Sequence, residues 1–211
     1  MVVRLIDRGR LPVTRQIDFF FFIGSTYTYL TVMRIEELSA RVDVKVRWRP
    51  FNARAIMIEQ NNIPFRGKPV KTRYMWRDLE RRARKYGVPF AEIPPYPVDS
   101  DMLGSRVAVL AANEGWCPEY TKAVYSAWFL EHQAPGDVDE LRKLLQELNH
   151  DPDRVLEQAN SKEVRDTLEA ETDVARSHGI FGSPTFLVGN EIFWGDDRLE
   201  DAIEWATSDK I

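Results

Sequence analysis

Two hydroxyl residues sit where backbone geometry can turn them to chemistry. Ser25 follows Gly24 at the point where an aromatic run gives way to a helical pattern, and Ser183 precedes a proline in Gly182-Ser183-Pro184-Thr185. The first N–H groups of a helix lack intrahelical partners and carry partial positive charge, so a serine there can help to hold an anion. It can equally cap the helix through its oxygen, and the roles are compatible because the hydroxyl still has a proton to donate. Pro184, entering the apolar run Phe186-Leu187-Val188, has no N–H for a ladder and belongs at a strand's first residue or edge. Its peptide bond is trans by default, since only about 5 to 6% of X-Pro bonds in folded proteins are cis. Other reactive groups are sparse. His132, His150 and His178 lack metal-ligand spacing, and Cys117-Pro118-Glu119-Tyr120 lacks the second cysteine of a redox motif. No phosphate loop or dinucleotide glycine fingerprint is present.

The elements that must position these serines lie at the two ends of the chain. Ile17 to Ile23 is aromatic and β-branched and reads as a buried central strand. Tyr27, Leu30, Met33 and Leu38 share one arc of a helical projection, which predicts a helix over about 26–40. Val42 to Arg49 alternates apolar and basic residues up to Pro50, a second strand with one covered face. A helical crossover between the two predicts a parallel pair. At the other end, Gly189-Asn190 reads as a hairpin turn, and Leu199, Ala202, Ile203 and Ala206 form the apolar stripe of a last helix. Between the ends, residues 66–178 are helical by pattern, broken at prolines and glycines, with seams at Trp76/Leu79/Ala83/Tyr86, Leu103/Val107/Leu110/Ala111 and Val138/Leu141/Leu145/Leu148. The reading is an α/β domain, β-α-β then β-β-α, carrying a large all-helical insertion. Its parts are an N-terminal extension (1–16), an α/β domain (17–65 and 179–211) and the helical block (66–178).

Composition bounds the function classes. The 211 residues suffice for a real core, and 44% hydrophobic with 29% charged residues is ordinary for a globular protein. A net charge of -4 gives no whole-protein attraction to nucleic acid or anionic membrane. Residues 66–85 nevertheless hold nine Lys and Arg against two acids, a solvated helix face or the wall of a basic pocket. One cysteine permits no internal disulfide and points to a reducing compartment, so the cytoplasm is expected. No segment reaches membrane-spanning length, and no signal peptide is apparent.

The run Asp18-Phe19-Phe20-Phe21-Phe22 with Ser25-Thr26-Tyr27-Thr28-Tyr29, the stretches Trp48-Arg49-Pro50-Phe51, Asn62-Ile63-Pro64 and Pro69 to Tyr74, and the closing Phe181 to Leu199 together resemble the 2-hydroxychromene-2-carboxylate isomerase family. That family is similar to kappa-class glutathione transferases and has a thioredoxin-like fold with an inserted helical domain. The resemblance implies a glutathione-dependent enzyme in which Ser25 holds and activates the glutathione sulfur. It implies that Asn62 lies in the glutathione site and that Ser183, ahead of a cis Pro184, offers its backbone to the cysteinyl part. It matches Asp197 to the acid that receives the γ-glutamyl ammonium and counts its neighbour Asp196 with the glutathione-binding residues, its particular role open. For a small aromatic carboxylate substrate, Lys71 and Arg73 are candidate cations, and Trp76 and Trp194 candidate pocket walls, with core packing as the alternative for both tryptophans. A homodimer is implied by the same likeness, as is a place in aromatic catabolism. The runners-up are a kappa-like transferase that leaves glutathione on its electrophile and a binding protein without catalysis. The chain departs from the family pattern at Thr26, where proline is common, at Ile58, where lysine is common, and at Arg54, in a small-residue position.

Magnitudes make the serine role feasible. A thiol of reference pKa near 8.5 is only about 3% ionised at pH 7, and lowering it two units takes roughly 2.7 kcal/mol. A hydrogen bond to a charged group supplies about 1.5 to 3 kcal/mol, and a helix N-terminus about 0.3 to 1 kcal/mol.

Overall fold

The computed structural model describes residues 15–208. The extension expected over 1–16 therefore lies outside the described residues except for its last two. Four strands form one sheet in the order β2-β1-β3-β4: β1 (Gln16–Phe21), β2 (Lys45–Pro50), β3 (Thr185–Val188) and β4 (Glu191–Trp194). β1 and β2 are parallel, as the crossover requires, while β3 runs antiparallel to β1 and β4 to β3. The helices are α1 (Thr28–Val32), α2 (Ile35–Ala40), α3 (Ala53–Glu59), α4 (Pro69–Tyr86), α5 (Leu103–Glu114), α6 (Cys117–Glu131), α7 (Val138–Glu147), α8 (Pro152–Ala159), α9 (Lys162–Ser177) and α10 (Leu199–Thr207). This is a thioredoxin-like fold with a helical insertion. No helix among the described residues is long and apolar enough to cross a membrane.

Period-two alternation along β1 builds a core on each face of the sheet. Phe19 and Phe21 point to one side, where Phe19 stacks on Phe186 at 5.6 Å and meets Trp48 edge-on at 5.1 Å. Phe20 and Phe22 point to the other, against Phe51, Ile56, Ile180 and Leu187. A strand covered on both faces has no polar register to alternate with, which is why its sequence reads as an unbroken aromatic run.

Asp18 interrupts that run, and its partners explain how. It lies opposite Arg47 in the parallel register, bonds Arg47 through both oxygens, and reaches Arg49 at 3.1 Å; Arg49 continues to Glu171 on α9 at 2.7 Å. Burial alone would raise the Asp18 carboxyl, but the hydrogen bonds and charge of Arg47, with help from Gln16 and Arg49, hold it below its usual range.

Several expectations need correction. The helix predicted over 26–40 is two helices. At Arg34 the backbone tightens, its N–H going to Thr31 at 3.0 Å, while its own Nε takes the Leu30 carbonyl at 3.2 Å. The side chain thus satisfies the acceptor that the break leaves free, and its guanidinium is needed elsewhere. The second strand begins at Lys45 rather than Val42, because the chain turns through Asp43 at a φ of 55°. Helix α3 has no counterpart in the sequence reading, although Asn52 caps it through Ala55 N at 3.0 Å and Ala53 and Ile56 face the core. Val138, assigned to a core seam, is exposed; it opens α7 just after the Asp137 cap, and the buried set is Leu141, Leu144 and Leu145.

Asp18→Asn should destabilise the fold by about 1.5 to 3 kcal/mol at neutral pH, the scale of hydrogen bonds to a charged group. A depressed carboxyl contributes stability above its unfolded pKa, near 4, and loses it as pH falls through the lower folded value. Urea unfolding should therefore show the gap between wild type and variant closing below about pH 4; a constant gap from pH 7 to pH 3 would refute the assignment.

Candidate active site

The site forms where β1 ends and β3 begins. The antiparallel register pairs Asp18 with Leu187, Phe19 with Phe186 and Phe20 with Thr185, so continuing it sets Phe22 opposite Ser183. Ser183 is followed by a cis bond to Pro184, the geometry that the family resemblance implied and the local sequence did not. Phe22 N–H donates to Ser183 Oγ at 3.1 Å, and Thr28 Oγ1 lies 2.9 Å from the same oxygen. Ser25 Oγ donates to the Ser183 carbonyl at 2.9 Å. The two chain segments proposed to make one cradle are in direct contact.

Ser25 is half-buried and does not cap α1. The residue at the cap position is Tyr27, no side chain caps the helix, and α1 is a five-residue turn that starts three residues after Ser25. The capping alternative is thereby set aside, and so is most of the helix-dipole contribution to anion binding. What remains is the hydroxyl. Its single proton is directed at Ser183 O, while the Ser183 N–H has no acceptor among the described residues. An open N–H beside an exchangeable carbonyl and a serine hydroxyl is a fit for the peptide portion of a thiol peptide.

The loop bearing Ser25 is held from the helical insertion. Tyr125 on α6 donates to Phe22 O at 2.9 Å and Ser25 O at 3.0 Å, and Thr26, buried, donates to Met75 Sδ on α4 at 3.1 Å. Thr26 thus anchors the loop by a side-chain contact where relatives of the resembled family commonly carry proline. Gly24 is demanded by crowding: a Cβ there would stand 2.5 Å from the Phe22 ring and 3.3 Å from the Val98 carbonyl.

The other sequence-derived residues divide. Asp196 is 1% exposed and bonded to Arg34 at 2.9 Å, Thr31 at 3.1 Å and Arg82 at 3.3 Å, so its carboxylate clasps α1, α2 and α4 to the start of α10 and presents no open face to a ligand. Burial disfavours the Arg34 cation, but Asp196 and Glu200 outweigh it and keep the guanidinium charged; that guanidinium lies 3.6 Å over the Tyr86 ring. Asp197 is more open, within 3.5 Å of Arg82 and 3.3 Å of Arg198. It lines a groove of about 550 Å³ together with Arg82, Lys85, Tyr86, Arg198 and Glu200. Trp194 is half exposed and lies on Gly182, where an added Cβ would come 2.4 Å from its Nε1. Trp76 is buried and meets Tyr96 edge-on at 5.6 Å, so it takes the core role. Lys71 and Arg73 are exposed on the first turns of α4. Asn62 is exposed after α3, and its side chain bonds neither Ser25 nor Ser183. Cys117 is buried and its thiol is pushed up to about 12 by that burial, which leaves it unreactive.

Sequence reasoning missed Thr28, Arg82 and Tyr125. Thr28 had a signal, the three-residue spacing from Ser25 that returns a side chain to the same side of a helical turn. Arg82 sat within a run of bases, and Tyr125 within an apolar helix, with nothing to single either out.

A family model described as the DSBA-like thioredoxin domain matches residues 16–204. The 2-hydroxychromene-2-carboxylate isomerase of Sphingobium xenophagum is 29% identical over 190 residues, covering 89% of this chain and 96% of that protein. Glutathione S-transferase kappa 2 of Caenorhabditis elegans is 22% identical, covering 92% and 93%. A solved structure of a 2-hydroxychromene-2-carboxylate isomerase superposes with a TM-score of 0.80 at 25% identity, covering 90% of this chain and 95% of that one.

Removing Ser25 Oγ deletes one half-buried hydrogen bond, whereas removing Ser183 Oγ leaves the Phe22 N–H without a partner inside the protein. Ser25→Ala should cost about 0.5 to 1.5 kcal/mol and Ser183→Ala about 1 to 3 kcal/mol in urea unfolding. The reverse order would show that the hydroxyl of Ser183 does not hold the end of β1.

Proposed function

The chain belongs to the DSBA-like thioredoxin domain family, and from that premise we propose that it is a glutathione-dependent cis-trans isomerase of the 2-hydroxychromene-2-carboxylate isomerase type. The observation that carries the reading is the 2.9 Å contact between Ser25 Oγ and the carbonyl of Ser183, beside the cis Pro184. A serine in this place, with a buried Cys117 and no second cysteine, argues against dithiol redox chemistry.

Glutathione, when bound, supplies a thiolate whose reversible addition to a conjugated carbon lets a double bond rotate before the sulfur leaves. The chain's own part is orientation and charge. Ser25 has one proton, now committed to Ser183 O. Rotation about its Cα–Cβ bond would aim that proton at a thiolate and at the same moment free the Ser183 carbonyl, next to the open Ser183 N–H, for a peptide edge. Asp197, in the groove with Arg82 and Arg198, is the acid for the ammonium end; Asp196, which shares Arg82 with it, is buried and contacts no ligand. Lys71 and Arg73 provide exposed cations for a small aromatic carboxylate, and Trp194 an aromatic surface near Pro184. The proposal includes a homodimer acting in the cytoplasm, with Asn62 as a further glutathione contact.

Ser25→Ala should leave a folded protein that binds glutathione as the thiol. With the bound thiol's pKa raised by about one to two units, the thiolate fraction at neutral pH and kcat/KM should both fall roughly 10- to 100-fold. Ultraviolet titration of the bound thiol and a single-turnover assay on a hydroxychromene carboxylate provide the measurements. Sulfur retained in the product would favour the kappa-like transferase, and a folded wild type without glutathione affinity would end both enzyme readings.

A further inference from the structure

We propose that Tyr125, contributed by the helical insertion, is a positioning residue that sets where the Ser25 hydroxyl sits; this rests on the thiol-activating role given to Ser25 above. Its ring is fully buried, stacked or tilted against Tyr29, Trp128 and Phe129 at centroid distances of 5.7 to 6.3 Å. Its hydroxyl reaches out of that packing to two carbonyls, Phe22 O at 2.9 Å and Ser25 O at 3.0 Å. Those oxygens are the two ends of one tight turn, which is closed by Ser25 N–H to Phe22 O at 2.9 Å. One phenol therefore spans the whole turn that carries the nucleophile-activating serine. Fixing the Ser25 carbonyl fixes its Cα, and with it the arc through which Oγ can swing between Ser183 O and a bound sulfur.

A second tyrosine on the same helix shows what a purely structural phenol looks like. Tyr120 is equally buried and donates to a single carbonyl, Gly104 O at 2.9 Å, at the start of α5; Gly104 packs beside the Ile23 side chain, but the Tyr120 hydroxyl makes no hydrogen bond to the turn at Ser25. Burial is the first cause raising both hydroxyls well above the usual tyrosine range, and the Asp99 carboxyl acts on both. Asp99 itself is held by the Gly104 and Ser105 N–H groups and the Ser105 hydroxyl. The pair thus differs in what surrounds the hydroxyl, the turn at Ser25 and the neighbouring Thr28 hydroxyl for Tyr125 against Gly104 and Cys117 for Tyr120, and Tyr120 serves as the control for loss of a buried phenol.

The test compares Tyr125→Phe with Tyr120→Phe in the full chain, with glutathione as the probe. Each variant keeps the ring and removes a buried hydroxyl, which bonds two carbonyls at Tyr125 and one at Tyr120, so both should lower the melting temperature, Tyr125→Phe the more. Only Tyr125→Phe should raise the pKa of the bound thiol, by about one unit, with a roughly tenfold loss of thiolate at neutral pH. Its kcat should fall in proportion with KM for glutathione little changed. An unshifted thiol in Tyr125→Phe, or equal shifts in both variants, overturns the inference while leaving the role of Ser25 intact. A wild type that forms no bound thiolate at all refutes the proposed activity, and this inference with it. Should Tyr125→Phe not fold, 3-fluorotyrosine placed singly at 125 or at 120 in the otherwise wild-type chain gives the same decision. The fluorine resonance at 125 should move on glutathione addition and that at 120 should not; a stationary signal at 125 overturns the inference.

Discussion

The fold's functional geometry depends on one register. Because β1 pairs antiparallel with β3 so that Phe20 faces Thr185, the last ladder position beyond the strands sets Phe22 against Ser183. In a continued ladder the Phe22 N–H would take a backbone carbonyl. Here it takes the Ser183 side chain instead, which leaves the Ser183 carbonyl free to receive Ser25. The side chain of Ser183 substitutes for its own backbone, and that substitution leaves the Ser183 carbonyl and N–H outside the ladder at the end of the sheet. A slip of one residue would turn every side chain of β1 to the opposite face and bury the wrong phenylalanines, so the same aromatic packing that stabilises the sheet also aims the site.

The helical insertion is tied to that site at two levels. Near the turn, Tyr125 and Met75 reach the backbone and side chains of residues 22–26. One layer away, Arg82 on α4 bridges Asp78 at 3.1 Å and Asp196 at 3.3 Å, and Tyr27 donates to the same Asp78 at 3.0 Å. The charged chain Tyr27, Asp78, Arg82, Asp196, Arg34 and Glu200 thus runs from the Ser25 loop to the start of α10, largely out of solvent. A buried carboxylate such as Asp196 is tolerable only with its partners present, so the loop, the insertion and the last helix are fixed together. The insertion is part of the site's frame, and its removal would leave a core open along α4, α5 and α6.

Most of the architecture was legible because it rests on periodicity. The aromatic run of β1, the alternation of Val46 and Trp48, and the stripe of α10 each state which face is covered. The break at Arg34 was not legible, since it follows from a guanidinium drawn to Asp196, more than a hundred residues away in sequence. Helix α3 was hidden by its shortness, seven residues with only Ala53 and Ile56 fully buried. At the site, Ser25, Ser183 and Pro184 were visible as residue types in telling places, and the likeness to a known family supplied the cis bond that no local signal gives. Tyr125 and Arg82 were invisible for a physical reason: their roles lie in contacts to the backbone of residues 22–25 and to the buried carboxylate of Asp196, far away in sequence, and neither leaves a pattern in its own helix.

Under the proposed function, these contacts also decide which effect would lower the pKa of a bound thiol. Reading a long helix after Ser25 assigns part of the work to its dipole; the five-residue α1, starting at Thr28, supplies little of it, since the field is the sum of aligned peptide units. Arg34 and Arg82 are engaged with Asp196 and Arg82 also with Asp78, while Arg54, 5.0 Å over the Phe22 ring, is held by the carbonyls of Val98, Asp99 and Ser100. The task then falls on hydrogen bonds, at about 1.5 to 3 kcal/mol each to a charged acceptor, and Ser25 Oγ is the donor whose present partner, an amide carbonyl, is readily exchanged. One such bond covers a shift of one to two units only if its geometry is good, because hydrogen bonds weaken steeply as they bend. A site that relies on a single hydroxyl in place of a helix field therefore has to control that hydroxyl's position closely, and the phenol of Tyr125 across both ends of the turn is the structural element that meets this requirement.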